Sequence, residues 1–395
     1  MNSDTLIFEI GIIIILAGGA TVLARRLRIP GLIGAILIGL FLGGPGGVGL
    51  IVNVDLITII SILGAILLLF MTGLKFDLDS FFKMGRKAFL ITTFGVVTSL
   101  FSGFVLGLLL GWSPFVSFLL GVMISPSGTS VLASILDQKR MEASETGSLI
   151  ITAAVIDDVE GIILYSVAAG LIRSASVSWV DVTSVTVVSI VFVFGSIILG
   201  KKAFPRLVSA LEKHLNPDVL FMILLGIGLI MAFTATMIGV AAITGAFLIG
   251  ALIPTETVGK KMEERLALMK DVFVSLFFVS IGLMVSPVDM ILFLPLSLLV
   301  LGVAIGGRLA GGAIGVRLSG MRLKEAFACV GSLAIRGELS LIMAREAIVH
   351  GIAGPEFLVI AFLVIVGSVL ILVPLVFKKE SKTMPAQEAR EPMPR

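Results

Sequence analysis

Apolar residues fill this chain in long blocks, broken at short intervals by Gly, Pro and charged residues. With those breaks as punctuation, the pattern predicts thirteen apolar spans. They lie near 6–24, 30–43, 55–74, 87–111, 114–136, 145–171, 178–200, 217–234, 237–253, 271–286, 288–316, 324–349 and 355–377. Most reach or approach the roughly 20 residues that carry an α-helix across a hydrocarbon core about 30 Å thick. The fold class that follows is an all-α polytopic membrane protein with 13 transmembrane helices.

The basic residues test this division independently, because cytoplasmic connections collect Lys and Arg. With the N-terminus outside, the inner connections take Arg25, Arg26 and Arg28; Lys75, Lys83, Arg86 and Lys87; Lys139 and Arg140; and Lys201, Lys202, Arg206 and Lys213. They also take Lys260, Lys261, Arg265 and Lys270; Arg317, Arg322 and Lys324; and the basic residues of the tail. Only Arg173 and Arg345 fall on the outer side, while Arg308 and Arg336 lie within spans. The expectation is a multi-pass protein of the cell (inner) membrane with a cytoplasmic C-terminus. Stretches 76–86 and 201–216 mix apolar and basic residues, and read as short interfacial helices or as plain basic loops. Residues 378–395 are polar, contain Pro and read as a disordered cytoplasmic tail. No basic stretch or small-residue cleavage site precedes the first span, which reads as a retained helix.

Composition agrees. The 395 residues are 57% hydrophobic and 14% charged, where soluble domains carry roughly 25% charge. The net charge of +3 resides in the inner connections and points to no nucleic-acid partner. The single Cys329 excludes an intramolecular disulfide. His214 and His350 fall in connections on opposite faces, and no nucleophile elbow, metal-ligand cluster or phosphate loop is present. An enzyme is therefore not expected, nor a cofactor.

The sixth span carries an unusual cargo. Asp157 and Asp158 are adjacent near its centre, with Glu160 close by, inside Thr152-Ala153-Ala154-Val155-Ile156-Asp157-Asp158-Val159-Glu160-Gly161. An ionised acid at that depth costs roughly 2.5–3.5 kcal/mol on insertion scales, so it faces a wet cavity or a partner. The pair reads as a cation or proton site, or as a pair satisfied by a neighbouring Arg; a single Arg neutralises only one of the two.

Two apolar motifs recur in order. Gly34-Ala35-Ile36-Leu37-Ile38-Gly39 reappears as Gly245-Ala246-Phe247-Leu248-Ile249-Gly250, at an offset of 211. Leu67-Leu68-Leu69-Phe70-Met71-Thr72-Gly73-Leu74 reappears as Leu276-Phe277-Phe278-Val279-Ser280-Ile281-Gly282-Leu283, at an offset of 209. The partners lie seven spans apart, an odd number, which makes spans one to six and eight to thirteen inverted repeats joined by span seven. The same offset pairs Ser125-Pro126-Ser127-Gly128 in span five with Ala334-Ile335-Arg336-Gly337-Glu338 in span twelve. Both are polar, Gly-containing interruptions, and paired broken helices are the best sequence pointer to a transporter's binding site. The alternatives are a simple Pro kink at Pro126 and a mutual ion pair between Arg336 and Glu338. The acids are not repeated. The second half instead carries Arg308, whose counterpart is Ser99, and whose natural partner is a carboxylate of the acid pair; the alternative is that it snorkels to the cytoplasmic face.

Together these stretches resemble the monovalent cation:proton antiporters, in particular the NapA-type and Kef-type branch of Na+/H+ and K+/H+ exchangers. The likeness is carried by Arg28-Ile29-Pro30 with Gly39 and Gly43-Gly44-Pro45; by Gly73-Leu74-Lys75-Phe76-Asp77; and by Ala154 to Gly161. It extends through Gly245 to Gly250, Phe277 to Gly282, and Arg336-Gly337-Glu338. The resemblance implies an NhaA/NapA-like antiporter fold occupying 1–377. Its repeats would be about 1–171 and 217–377, its connector helix 178–200, and its tail 378–395. It also implies a homodimer with a dimerisation domain and a moving core, in which two unwound helices cross beside the acids. By resemblance Asp158 matches the ion and proton carrier and, with Asp157, binds Na+. Asp157 matches an acid that many relatives pair with Lys on span eleven, where this chain has Arg308. Relatives with Asn-Asp usually carry Arg there, so two patterns are mixed. Ser125 replaces an acid often found beside the first crossover, leaving Ser125, Ser127 and Thr129 as candidate ligands, with Glu160, Arg336 and Glu338 in supporting places.

The expected activity is exchange of Na+ or Li+ for H+ by alternating access. Taking a carboxylate out of water favours its protonated form, which lets protons compete with Na+ at cellular pH. If Arg308 holds Asp157 throughout, only Asp158 exchanges and transport is electroneutral, because Arg does not shed its proton. Competing readings are a Kef-like K+/H+ antiporter, a sodium-coupled symporter of the same architecture, and a channel. Kef-type chains usually append a nucleotide-binding domain, and only residues 378–395 follow the last span here.

Overall fold

The computed structural model describes residues 3–27, 31–43, 47–51, 53–74, 86–128, 132, 145–174, 179–238, 240–254 and 258–377. Among the described residues all regular structure is helical. The helices are α1 (Ser3–Leu27), α2 (Gly31–Leu42), α3 (Val54–Leu74), α4 (Arg86–Leu109), α5 (Pro114–Ile124), α6 (Glu145–Ser174), α7 (Trp179–His214) and α8 (Pro217–Met237). Then follow α9 (Ala242–Leu252), α10 (Lys260–Leu283), α11 (Pro287–Leu292), α12 (Leu294–Leu318), α13 (Leu323–Ser332), α14 (Glu338–Val349) and α15 (Glu356–Phe377). Helix is the expected answer for such a sequence, since hydrocarbon offers no partner to an open strand edge. Stretches in α1, α4, α7, α8, α12 and α15 are each long and apolar enough to cross a bilayer unaided.

Local chemistry sets several boundaries. Ser113, Asn216 and Ser286 each accept a backbone N–H from the first turn of the next helix, at 3.3, 2.9 and 3.2 Å, and each precedes a Pro. A polar cap followed by Pro at the first helical position spares a donor that would otherwise be orphaned. At the other end, Gly320 and Gly351 take positive φ (76° and 69°) just past α12 and α14, the left-handed turn that closes a helix.

The helices sort into two packed bodies. One comprises α1–α3 with α7–α10; the other comprises α4–α6 with α11–α15, and the main packing between them runs along α6 and α7. In the first body several glycines make close contacts, and four of them form a related set. A Cβ on Gly39 would stand 2.1 Å from the Val279 carbonyl oxygen, and one on Gly282 would stand 2.1 Å from that of Ile36. One on Gly73 would stand 2.2 Å from the Phe247 carbonyl, and one on Gly250 would stand 2.2 Å from that of Phe70. Shifting Gly39 by 211 and Gly73 by 209 turns each of these contacts into the other.

Several boundaries differ from the hydropathy expectation. The stretch from Lys201 to His214 is neither loop nor separate interfacial helix, because α7 runs on through it with Pro205 inside. The α10 helix begins at Lys260 rather than 271, since polar residues that cannot lie in hydrocarbon still form good helix outside it. Span eleven is two helices that meet at Phe293. His214 ends α7 instead of lying in a loop. Arg345 is 5% exposed inside α14. Stretch 76–85 and the tail 378–395 lie outside the described residues.

Replacing Gly39 by Val should cost the protein at least the roughly 1–3 kcal/mol typical of overpacking, because rigid backbone blocks the added group. Gly302→Ala, with nothing within 4 Å of an added Cβ, should be neutral. Melting in detergent, followed by loss of the monodisperse chromatographic peak, compares the two.

Candidate ion site

The site begins where two helices fail. Pro126 has no N–H with which to continue the ladder, and α5 ends at Ile124. On the opposite side α13 ends at Ser332 and α14 resumes at Glu338. The two unwound segments cross at their glycines: the Gly128 N–H donates to the Ile335 carbonyl at 2.8 Å, and a Cβ on Gly337 would lie 2.3 Å from the Gly128 Cα. A side chain at either place would separate the segments. Gly161 of α6 lies beside the same crossing, against Pro126.

Carbonyls freed by the break must find donors within the protein. The Ser125 hydroxyl donates to Gly121 O and the Ser340 hydroxyl to Met123 O, both at 2.7 Å. The Ser125 carbonyl accepts from Arg336 Nη1 at 2.7 Å and from Arg308 Nη1 at 3.2 Å. Arg336 further donates to Pro126 O at 3.2 Å, Ala304 O at 2.6 Å and the Ser99 hydroxyl at 3.4 Å, and its N–H donates to Ser368 Oγ at 3.0 Å. Both guanidiniums are buried, with Arg308 1% and Arg336 0% exposed. Each lends positive charge to the negative end of the broken α5 helix.

Asp157 completes this cluster. It is fully buried, one carboxylate oxygen is ion-paired with Arg308 Nη2, and the other accepts the Ser127 N–H at 2.5 Å. Arg308 therefore points inward to the acid and does not snorkel. Successive residues on a helix point about 100° apart, so Asp158 faces elsewhere. It shares a stripe with Ile151 and Tyr165, seven residues before and after it, and is 8% exposed. One acid of the pair is charge-matched inside the core; the other lies at the core's edge.

The remaining expected residues are distributed unevenly. Ser125 contributes its carbonyl to the arginines and its hydroxyl to Gly121. The Ser127 hydroxyl is buried without a hydrogen-bond partner, the only expected ligand hydroxyl in that position among the described residues. Glu160 accepts a hydrogen bond from Thr93 of α4. Thr129 lies outside the described residues, as does the side chain of Glu338. Sequence reasoning missed Thr93 and the buried Arg345. Thr93 offered no signal beyond being a hydroxyl in an apolar span, whereas Arg345 lay inside the predicted twelfth span.

The sodium/hydrogen exchanger transmembrane family matches residues 12–378. The Na(+)/H(+)-K(+) antiporter GerN of Bacillus cereus is similar, 26% identical over 388 residues that cover 96% of this chain and 98% of that one. The K(+)/H(+) antiporter subunit KhtU of Bacillus subtilis is 27% identical over 391 residues, covering 96% and 94%. In fold, the chain is similar to the sodium proton antiporter MjNhaP1 of Methanocaldococcus jannaschii, with a TM-score of 0.74 at 16% identity over 95% of this chain and 96% of that one. With the family matched over nearly its whole length and several helices apolar enough to cross a bilayer, the chain belongs to the sodium/hydrogen exchanger family of multi-pass cation/proton antiporters.

Proposed function

We propose that the chain exchanges Na+ or Li+ for H+ by alternating access, with the two ions competing for Asp158, and that one proton moves per cation. The observation that carries this reading is the division of labour within the acid pair. Asp157 already has Arg308 as its counter-charge. Asp158, at the core's edge, is the acid placed to take up a proton or a cation and to be neutral in either case. Neutrality matters because a bare carboxylate is costly to carry past apolar walls, so the loaded site crosses and the empty one stays. The buried hydroxyl of Ser127 and carbonyls of the unwound segments supply the oxygen donors that a hard cation takes.

The reading extends to the whole molecule. Thirteen crossings with the N-terminus outside are supported by the segregation of Lys and Arg. Inverted repeats, 1–171 and 217–377, are supported by the interchange of the Gly39–Gly282 and Gly73–Gly250 contacts under the sequence offsets. The body holding α4–α6 and α11–α15 serves as the moving core, and the other body as the homodimer scaffold. K+ stays open as a second cation, because a relative named for K+ and one named for both ions match at similar identity.

Replacing Asp158 with Asn should abolish Na+-driven proton movement in proteoliposomes. Asp157→Asn should keep measurable exchange but strand the Arg308 charge, at a stability cost of about 3–5 kcal/mol; equal transport by Asp158→Asn and parent protein removes the proposed site. Stoichiometry has its own test. A membrane potential imposed with a gradient of the permeant anion thiocyanate, with no pH, Na+ or K+ gradient, should drive no proton flux, and flux following the potential would refute one-for-one exchange.

A further inference from the structure

The face of α6 that carries Asp158 differs between its two ends. Ile151, Asp158 and Tyr165 recur every seven residues, which keeps them on one stripe with a drift of only about 20° per step. Along it exposure falls from 41% at Ile151 to 8% at Asp158 and 5% at Tyr165. Beyond Asp158 on the Tyr165 side, about 10 Å along the helix at 1.5 Å per residue, two polar contacts tie the bodies together. The Ser166 hydroxyl of α6 lies 2.8 Å from the Thr244 hydroxyl of α9, both fully buried. Ser166 gives its single hydroxyl proton to the Ile162 carbonyl at 2.7 Å, so Thr244 is the donor across the seam. The Arg345 guanidinium of α14 sits 6.0 Å from the ring centroid of Phe277 on α10, within cation–π reach.

We propose that this seam is the gate that closes Asp158 off from the face opposite the Ile151 end, and that Arg345 is a positioning residue which sets how readily it opens. Each contact joins α6 or α14 of one body to α9 or α10 of the other, so a relative movement of the bodies must break both. Their chemistry suits repeated opening. A hydroxyl pair and a guanidinium on an aromatic face are both hydrated readily when parted, whereas an apolar seam exposes bare hydrocarbon. In the structure the seam is shut and the stripe is uncovered at the Ile151 end. Under the topology proposed above, the shut side is the outer one.

This inference rests on the exchange reading, and the test separates the two. Ser166→Cys with Thr244→Cys places two sulfurs where oxygens now stand 2.8 Å apart, a separation that a disulfide spans with little adjustment. The native Cys329 is buried and leaves little thiol background. Oxidation should cross-link the pair and cut exchange at least tenfold, with recovery on reduction. A parent protein that exchanges nothing sinks the exchange reading itself. Exchange by the parent together with undiminished exchange in the cross-linked protein overturns the gate alone, as does failure of the cross-link to form. Arg345→Gln should change the ratio of the Na+ KM values on the two faces of oriented vesicles at least threefold, with Arg345→Lys restoring most of it. A ratio unchanged in both variants rejects the positioning role.

Discussion

Unwound backbone and buried charge at the centre of this bundle need partners within the protein, because hydrocarbon offers them none. The crossing at Gly128 and Gly337 is organised by that constraint. Two helices unwind there, and the carbonyls released are claimed by serine hydroxyls and by two fully buried guanidiniums. The arginines in turn need negative partners. They find the negative end of α5 and, for Arg308, the carboxylate of Asp157. Removing either member of that ion pair strands the other in a low-dielectric interior, a far larger loss than the pair's net contribution. Broken helices, arginines and first acid therefore form one interdependent unit.

That unit gives the second acid its distinct position. Because adjacent residues on a helix diverge by about 100°, committing Asp157 to the crossing turns Asp158 toward the edge of its body. Two neighbouring carboxylates in one apolar helix thus have different surroundings: one is bound to the unwound backbone and Arg308, and the other faces away from them.

Much of this was legible in the residues. The two interruptions, their shared offset and the meeting of Arg308 with an acid follow from the rule that charge and unwound backbone at membrane depth need partners. The acid that Arg308 selects was legible as well, through the resemblance. Hydropathy was weaker wherever direction mattered more than composition. Position along a span left open where Arg345 points, and its side chain is buried beside Phe277. Hydropathy broke α7 at Lys201 because basic residues end apolar runs, whereas a helix continues into water without penalty as long as its propensities hold. The bond from Thr93 to Glu160 joins residues 67 apart, and no local pattern encodes such a meeting.

The central claim is that proton and cation occupy one carboxylate by turns. Its most direct test is the number of protons released when Na+ binds the purified protein, measured calorimetrically in buffers of different ionisation enthalpy. Near the midpoint of Asp158 protonation the account predicts a release that rises toward one proton per Na+ as pH falls, and none in Asp158→Asn. Saturable Na+ binding that releases no proton at any pH would contradict it.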